Sequence, residues 1–172
     1  MRVVLIGYMG SGKTTIGRIV ANYLKYHFYD LDELITIQEK QSVRKIFLEK
    51  GEDHFRSIEK NLLALFLKSK KEYVLSAGGG TPCYDNNISI MKQFAKTIYL
   101  RLTPDIIFKR VLTQKDQRPI ISHLSEEKLF EFISHHLIQR VPFYERAHYT
   151  IDVYDKSIDE IARDIHDFLL SL

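Results

Sequence analysis

The residues best suited to chemistry stand near the start of the chain, in Gly7-Tyr8-Met9-Gly10-Ser11-Gly12-Lys13-Thr14. Gly7 and Gly12 bracket four residues and are followed by a lysine and a hydroxyl, the pattern of a phosphate-cradling P-loop. Glycines let backbone N–H groups close around phosphate oxygens, and a helix opening at the lysine adds favourable partial charge. Lys13 is placed to reach β- and γ-phosphates, and the Thr14 hydroxyl suits Mg²⁺.

Further candidates follow downstream. If the backbone stays extended through Asp30-Leu31-Asp32, residues i and i+2 face one side and both carboxylates point toward the P-loop edge. One then suits Mg²⁺ held through water, and the other suits taking a proton from an attacking hydroxyl. The alternative is that one aspartate caps a helix beginning near Leu31. Arg56 and Glu59 are three residues apart, so they form either a surface ion pair of little worth or an oriented guanidinium that grips a substrate carboxylate. These residues alone favour the surface pair. Gly78-Gly79-Gly80 is entropically costly, and serves either a flexible turn or close approach of backbone to a ligand, with Ser76 just before it. Arg118 lies in a polar stretch, either as a solvated loop residue or as a cation that swings onto transferring phosphates. Arg110 and Arg140 stand toward helix ends, where a cation complements the helix dipole. The seven histidines show no metal-ligand spacing; His135 and His136 diverge on a helix.

The elements that must position these groups alternate along the chain. Apolar runs predict strands at 2–6, 27–30, 73–77, 96–102 and 149–153. Helical spacing predicts helices from Lys13, from Leu31 to Glu39, from an N-cap at Ser42, from Glu52 to Lys68 after an interruption at Gly51, from Pro104 to Leu112, from Glu126 to about Val141, and to Leu170. In the Glu52–Lys68 helix, Phe55, Ile58, Leu62, Leu65 and Phe66 are the expected inward face. Residues 113–125 lack periodicity and read as a mobile loop. Alternation of this kind implies an α/β fold with a parallel sheet covered on both faces, whose ligands sit beyond the carboxyl ends of the strands. That rule gathers the P-loop, Asp30–Asp32 and Gly78–Gly80 onto one edge.

Composition is that of an ordinary globular chain: 172 residues, 45% hydrophobic and 27% charged, with a formal charge of +3. One domain is expected, and the dispersed basic residues do not suggest a nucleic-acid binder. The single cysteine, Cys83, excludes an intrachain disulfide framework and a cysteine-based zinc site. No apolar run approaches the length of a membrane span, and the first residues already read as a strand, so cytoplasmic residence and no membrane partner are expected.

Together these motifs resemble shikimate kinase over essentially the whole chain. The resemblance rests on the P-loop, Asp30-x-Asp32, Gly51-Glu52 followed by Phe55-Arg56-x-x-Glu59, the glycine triplet, Arg118-Pro119 and Arg140-x-x-x-Tyr144. It implies a P-loop NTPase three-layer sandwich with a five-stranded parallel sheet in the order 2-3-1-4-5. It implies one kinase domain over 1–172, with a shikimate-binding helical segment at about 31–60 and a lid at about 113–125. The implied reaction is ATP-dependent phosphorylation of the shikimate 3-hydroxyl on the route to chorismate and aromatic amino acids, by a monomer using Mg²⁺. Residue by residue, Gly10, Ser11, Gly12, Lys13, Thr14 and Thr15 would hold the nucleotide phosphates, and Arg110 would lie against adenine. Thr14, and Asp30 through water, would hold the metal. Asp32 would bind the shikimate hydroxyls and accept the proton, Arg56 and Arg140 would clamp the carboxylate, and Gly79 with Gly78 and Gly80 would contact the ring hydroxyls. Lys13 and Arg118 would offset charge on the transferring group. Thr81-Pro82 departs from the small or aliphatic residues more usual after the triplet. The rival readings are a gluconate or nucleotide kinase of the same fold, and a nucleotide-binding regulatory module.

Overall fold

A computed structural model describes residues 1–69, 71–113, 121 and 123–172. Its framework is a parallel sheet of five strands, β1 (Arg2–Ile6), β2 (Phe28–Asp30), β3 (Tyr73–Ser76), β4 (Lys96–Arg101) and β5 (Tyr149–Asp152), in the order β2-β3-β1-β4-β5. Each strand ends within a residue of its expected bounds. In the centre of the sheet, β1 pairs Val4 with Leu75 of β3 and with Thr97 of β4. Val3, Val4, Leu5 and Ile6 are all without solvent exposure. Successive side chains of a strand point to opposite faces, so four consecutive buried residues require cover on both sides.

That cover comes from α1 (Lys13–Leu24), α2 (Leu31–Glu39), α3 (Val43–Ser69), α4 (Asn87–Phe94), α5 (Pro104–Leu112), α6 (Glu126–Tyr144) and α7 (Ile158–Leu170). Helix α1 packs on α7, α2 on α3, and α5 on α6. Ser42 does start α3, its hydroxyl accepting from the Lys45 N–H at 3.2 Å. Gly51 (φ +80°, ψ 174°) breaks the helical path, so α3 is two helices joined at a kink.

Three expectations need correction. The inward face of the second half of α3 is Phe55, Glu59, Leu63, Phe66 and Leu67, whereas Leu65 is 70% exposed and Ile58 and Leu62 only flank the core. The stripe is rotated because a carboxylate, Glu59, occupies a core position that hydrophobicity assigns to the outside. The span from Thr81 to Phe94, read as no element, holds a 3₁₀ turn at Thr81–Cys83 and helix α4. Helix α6 runs on past Val141 to Tyr144 with Pro142 in its last turn, where the missing proline N–H removes only one bond near the end.

Candidate active site

The carboxyl ends of β1, β2 and β3 open on a cleft with two lobes. The larger, of about 590 Å³, is walled by the P-loop, Asp30, Asp32, Ser76, Gly78, Gly79 and Arg110. The smaller, of about 330 Å³, is walled by Asp32, Phe47, Arg56, Gly78–Gly80, Ile121 and Arg140 among others. Met9, Asp32, Gly78 and Gly79 belong to both. Both volumes lie in the range of small-molecule sites.

In the larger lobe the turn from β1 into α1 is made at Gly12, whose φ of +90° is left-handed backbone that favours glycine. No side chain caps α1, and no acid stands in its first turn. Its first N–H groups are therefore left for an anion. Lys13 folds over the loop, donating to the carbonyls of Gly7 (2.9 Å) and Tyr8 (3.0 Å). Ser11 Oγ is buried and has no hydrogen-bond partner among the described residues. Arg110 donates to the Gly10 carbonyl at 3.2 Å and so lies beside the loop.

Asp30 caps a helix and also faces the P-loop. One carboxylate oxygen accepts from the Asp32 N–H at 3.1 Å and caps α2, while the other accepts from the Thr14 hydroxyl at 2.9 Å. The strand ends at Asp30, so the expected extended pair is corrected. Asp32 sits in the first turn of α2 and reaches the cleft from a helix. Its side chain opens to the cleft, yet protein packed around the carboxyl, then the charges of Asp30 and Glu59, push its pKa up to about 6, against the pull of Lys13 and Arg56. A carboxylate so placed is well matched to taking a proton near neutral pH. Among the described residues no group of three or more His, Cys, Asp or Glu could enclose a metal.

The smaller lobe is built around Arg56, whose side chain is 12% exposed. Its Nε and Nη2 donate to Glu52 (3.2 and 3.0 Å), and Nη1 donates to Glu59 at 2.8 Å. Its carbon centre lies 4.0 Å from the centroid of the Tyr84 ring. Glu59 is 1% exposed, so the pair is no surface ion pair. Its other oxygen accepts from the Thr81 hydroxyl at 2.5 Å, and Asn87 donates to the Thr81 carbonyl at 3.0 Å. A guanidinium has five N–H donors; three are spent on holding the fork, and two remain for a ligand.

Arg140 stands opposite, over the Tyr8 ring at 5.6 Å, with no carboxylate in ion-pair distance among the described residues. Tyr8 shares a 3.0 Å hydrogen bond with His136 Nδ1. Burial, and then Arg140, hold the His136 imidazole down to about 4, so it stays neutral beside that guanidinium. One turn beyond Arg140, the buried Tyr144 donates to the Gly79 carbonyl at 2.5 Å.

The glycine triplet is explained by this crowding. A Cβ on Gly78 would stand 2.8 Å from Thr81 Oγ1 and 3.3 Å from Asp32, and one on Gly80 would stand 2.5 Å from Arg56 Nη2. Side chains there would displace the groups that line the cleft.

The structure thus brings together Gly10, Ser11, Gly12, Lys13, Thr14, Thr15, Asp30, Asp32, Arg56, Gly78, Gly79, Gly80, Arg110 and Arg140 in or against one cleft. Arg118 lies outside the described residues. Reading the sequence missed Thr81, Tyr84, Asn87 and the Tyr8–His136 contact. Tyr144 carried a signal: it lies four residues from Arg140, on the same helix face.

Comparison with known proteins agrees with this layout. The family model described as shikimate kinase matches residues 9–170. A shikimate kinase of Flavobacterium psychrophilum is 38% identical over 169 residues, spanning 98% of each chain. The crystal structure of shikimate kinase from Bacteroides thetaiotaomicron superposes with a TM-score of 0.92 at 36% identity, covering 100% of this chain and 99% of that one. Shikimate kinase from Acinetobacter baumannii, solved in complex with shikimate, gives 0.88 at 32% identity, covering 99% and 93%.

Proposed function

The chain belongs to the shikimate kinase family, and from that premise we propose how its own residues divide the transfer of phosphate from ATP to the shikimate 3-hydroxyl. Its activity is ATP-dependent phosphorylation of shikimate. The observation that carries the division of labour is the two-lobed cleft, with phosphate-binding machinery in one lobe, two arginines in the other, and Asp32 on their shared wall.

The larger lobe takes ATP. The first N–H groups of α1, with Lys13, receive the phosphates, and Arg110 flanks the nucleotide. Thr14 and Asp30 offer the hard oxygen donors that Mg²⁺ takes, and one or two protein ligands suffice where water and phosphate complete the shell. Bound there, the ion would supply charge neutralisation on the β- and γ-phosphates.

The smaller lobe takes shikimate. Arg140 and the two remaining N–H donors of Arg56 receive its carboxylate, and charge-assisted bonds to two fixed guanidinium groups set the ring's orientation. Asp32 holds the hydroxyl at the junction. The bond from the γ-phosphorus to the bridging oxygen of ADP breaks, a new bond forms to the shikimate oxygen, and the hydroxyl proton passes to Asp32. Lys13 offsets charge on the transferring group. Arg118, expected to offset charge on the same group, lies outside the described residues. No described helix is long and apolar enough to cross a membrane.

The test is stoichiometric. ADP should form in proportion to shikimate added and hardly at all without it. Equal ADP formation with gluconate, with a nucleoside monophosphate or with no acceptor would overturn the assignment.

A further inference from the structure

At the end of the sheet opposite the cleft lies a second concavity of about 400 Å³. It is formed where β1 and β4 begin, where α4 ends, and just before β5. Its wall carries Met1, Arg2, Lys71, Lys92, Phe94, Lys96 and His148, and among the described residues that line it there is no aspartate or glutamate. The whole chain has an excess of only three cations over acids, so three lysines on one wall beside His148 are a local concentration. Arg2, Lys92 and Lys96 are half-buried, and Lys68 adds another ammonium 5.3 Å from the Phe94 ring centroid. Glu72 stands 3.7 Å from the amine of Met1, a residue of this wall.

His148 is held rigidly. The Thr97 N–H donates to its Nδ1 at 3.1 Å, and its own N–H donates to the Thr97 carbonyl at 3.0 Å. An accepting Nδ1 fixes the ring proton on Nε2, leaving that N–H as the remaining donor of the ring. Burial, and then Lys92 and Lys96, hold the imidazole below its usual range. Like charges gathered at half-buried positions repel one another and gain from a counter-charge.

We propose that this concavity is a binding site for a small polyanion, a molecule carrying two or more carboxylate or phosphate groups. The site lies apart from the kinase cleft and does not rest on the assignment of its substrates. Its size suits a compact metabolite, and its curvature concentrates the field of the surrounding cations.

Isothermal calorimetry tests it on protein saturated with ADP and shikimate, so that the P-loop and the Arg56–Arg140 lobe are occupied. Tricarballylate and 3-phosphoglycerate serve as separate titrants. Saturable binding is expected in the micromolar to low-millimolar range, weakened about tenfold or more in Lys92→Glu/Lys96→Glu and falling with salt. The His148 ring signals should shift in NMR spectra as titrant is added. Binding of tricarballylate alone would assign carboxylates, and binding of 3-phosphoglycerate alone would assign a phosphate group. A matching circular-dichroism melt shows that the variant folds, and Lys92→Gln/Lys96→Gln repeats the test with charges removed in place of reversed. No saturation with either titrant, equal affinity in wild type and variants, or unmoved His148 signals would overturn the site.

Discussion

Replacing Asp32 with asparagine should make the protein more stable and nearly inactive, with both effects tied to the same charge. In the folded chain the carboxyl titrates near 6 in place of 3.8, because protein surrounds it and Asp30 and Glu59 repel it. A shift of about two units corresponds to roughly 3 kcal/mol for a fully enclosed group. Asp32 opens to the cleft, so screening by water reduces this to about 1 kcal/mol. For a chain of this length that is a gain of about 2–4 °C in Tm. The sign follows from proton uptake. Between about pH 4 and 6 the native state holds the Asp32 proton more tightly than the unfolded chain, so ionising it costs stability as pH rises through that window. The variant's advantage should therefore be full at pH 8, shrink through pH 6 and vanish near pH 4. Turnover at pH 8 should fall by about 10²–10⁴-fold for loss of a general base, with little change in ATP binding. The wild-type acid limb in kcat/KM for shikimate, near pH 6, should disappear. Paired thermal melts and coupled ADP assays across this range provide the measurement. Near-normal turnover, or a Tm difference independent of pH, would refute the reasoning.

Removing the Thr81 hydroxyl takes a donor from the buried Glu59. Thr81→Val should raise the shikimate KM several-fold with a smaller change in kcat, and Thr81→Ser should restore it. Arg140→Ala should raise the shikimate KM about 10–100-fold, the worth of a charge-assisted hydrogen bond, while the ATP KM stays put; an unmoved shikimate KM would count against the clamp. Arg56→Ala strands the Glu59 charge, so urea melts should show a loss of about 3–5 kcal/mol that Arg56→Ala/Glu59→Gln largely recovers without recovering shikimate binding. His136 titrates near 4 when folded, below its usual 6.5, so it costs stability as pH falls from 6.5 toward 4. His136→Gln should flatten that loss in thermal melts.

The parts legible in the sequence are those set by local pattern. The central strands are short β-branched runs buried on both faces, and such runs look alike in any parallel sheet. The P-loop was readable because its glycines, lysine and threonine lie within eight residues. Asp32 was singled out for its nearness to Asp30, although its true support is the first turn of α2 and not an extended strand. The setting of Arg56 was not legible. Glu59 becomes a core residue only because Thr81, twenty-two positions away, donates to it, and Tyr84 approaches Glu52 from thirty-two away. Without those partners a glutamate one helical turn from an arginine looks like solvent-facing charge. Helix α4 went unread because its eight residues, Asn87–Phe94, include three polar side chains between the apolar ones of its buried face and no side chain caps its start.

Met9, Asp32, Gly78 and Gly79 wall both lobes of the cleft, so in the proposed division of the site they stand between the two ligands. Whatever nucleotide does to that partition, shikimate meets, and the reverse holds with equal force. Thermodynamic linkage makes the two influences one number: if ADP changes shikimate affinity by some factor, shikimate changes ADP affinity by the same factor. Tyr144, which fastens the Gly79 carbonyl, and Tyr8, which carries Arg140 on its ring while sitting in the phosphate loop, are therefore the places where that shared factor is adjustable without touching either ligand's own contacts.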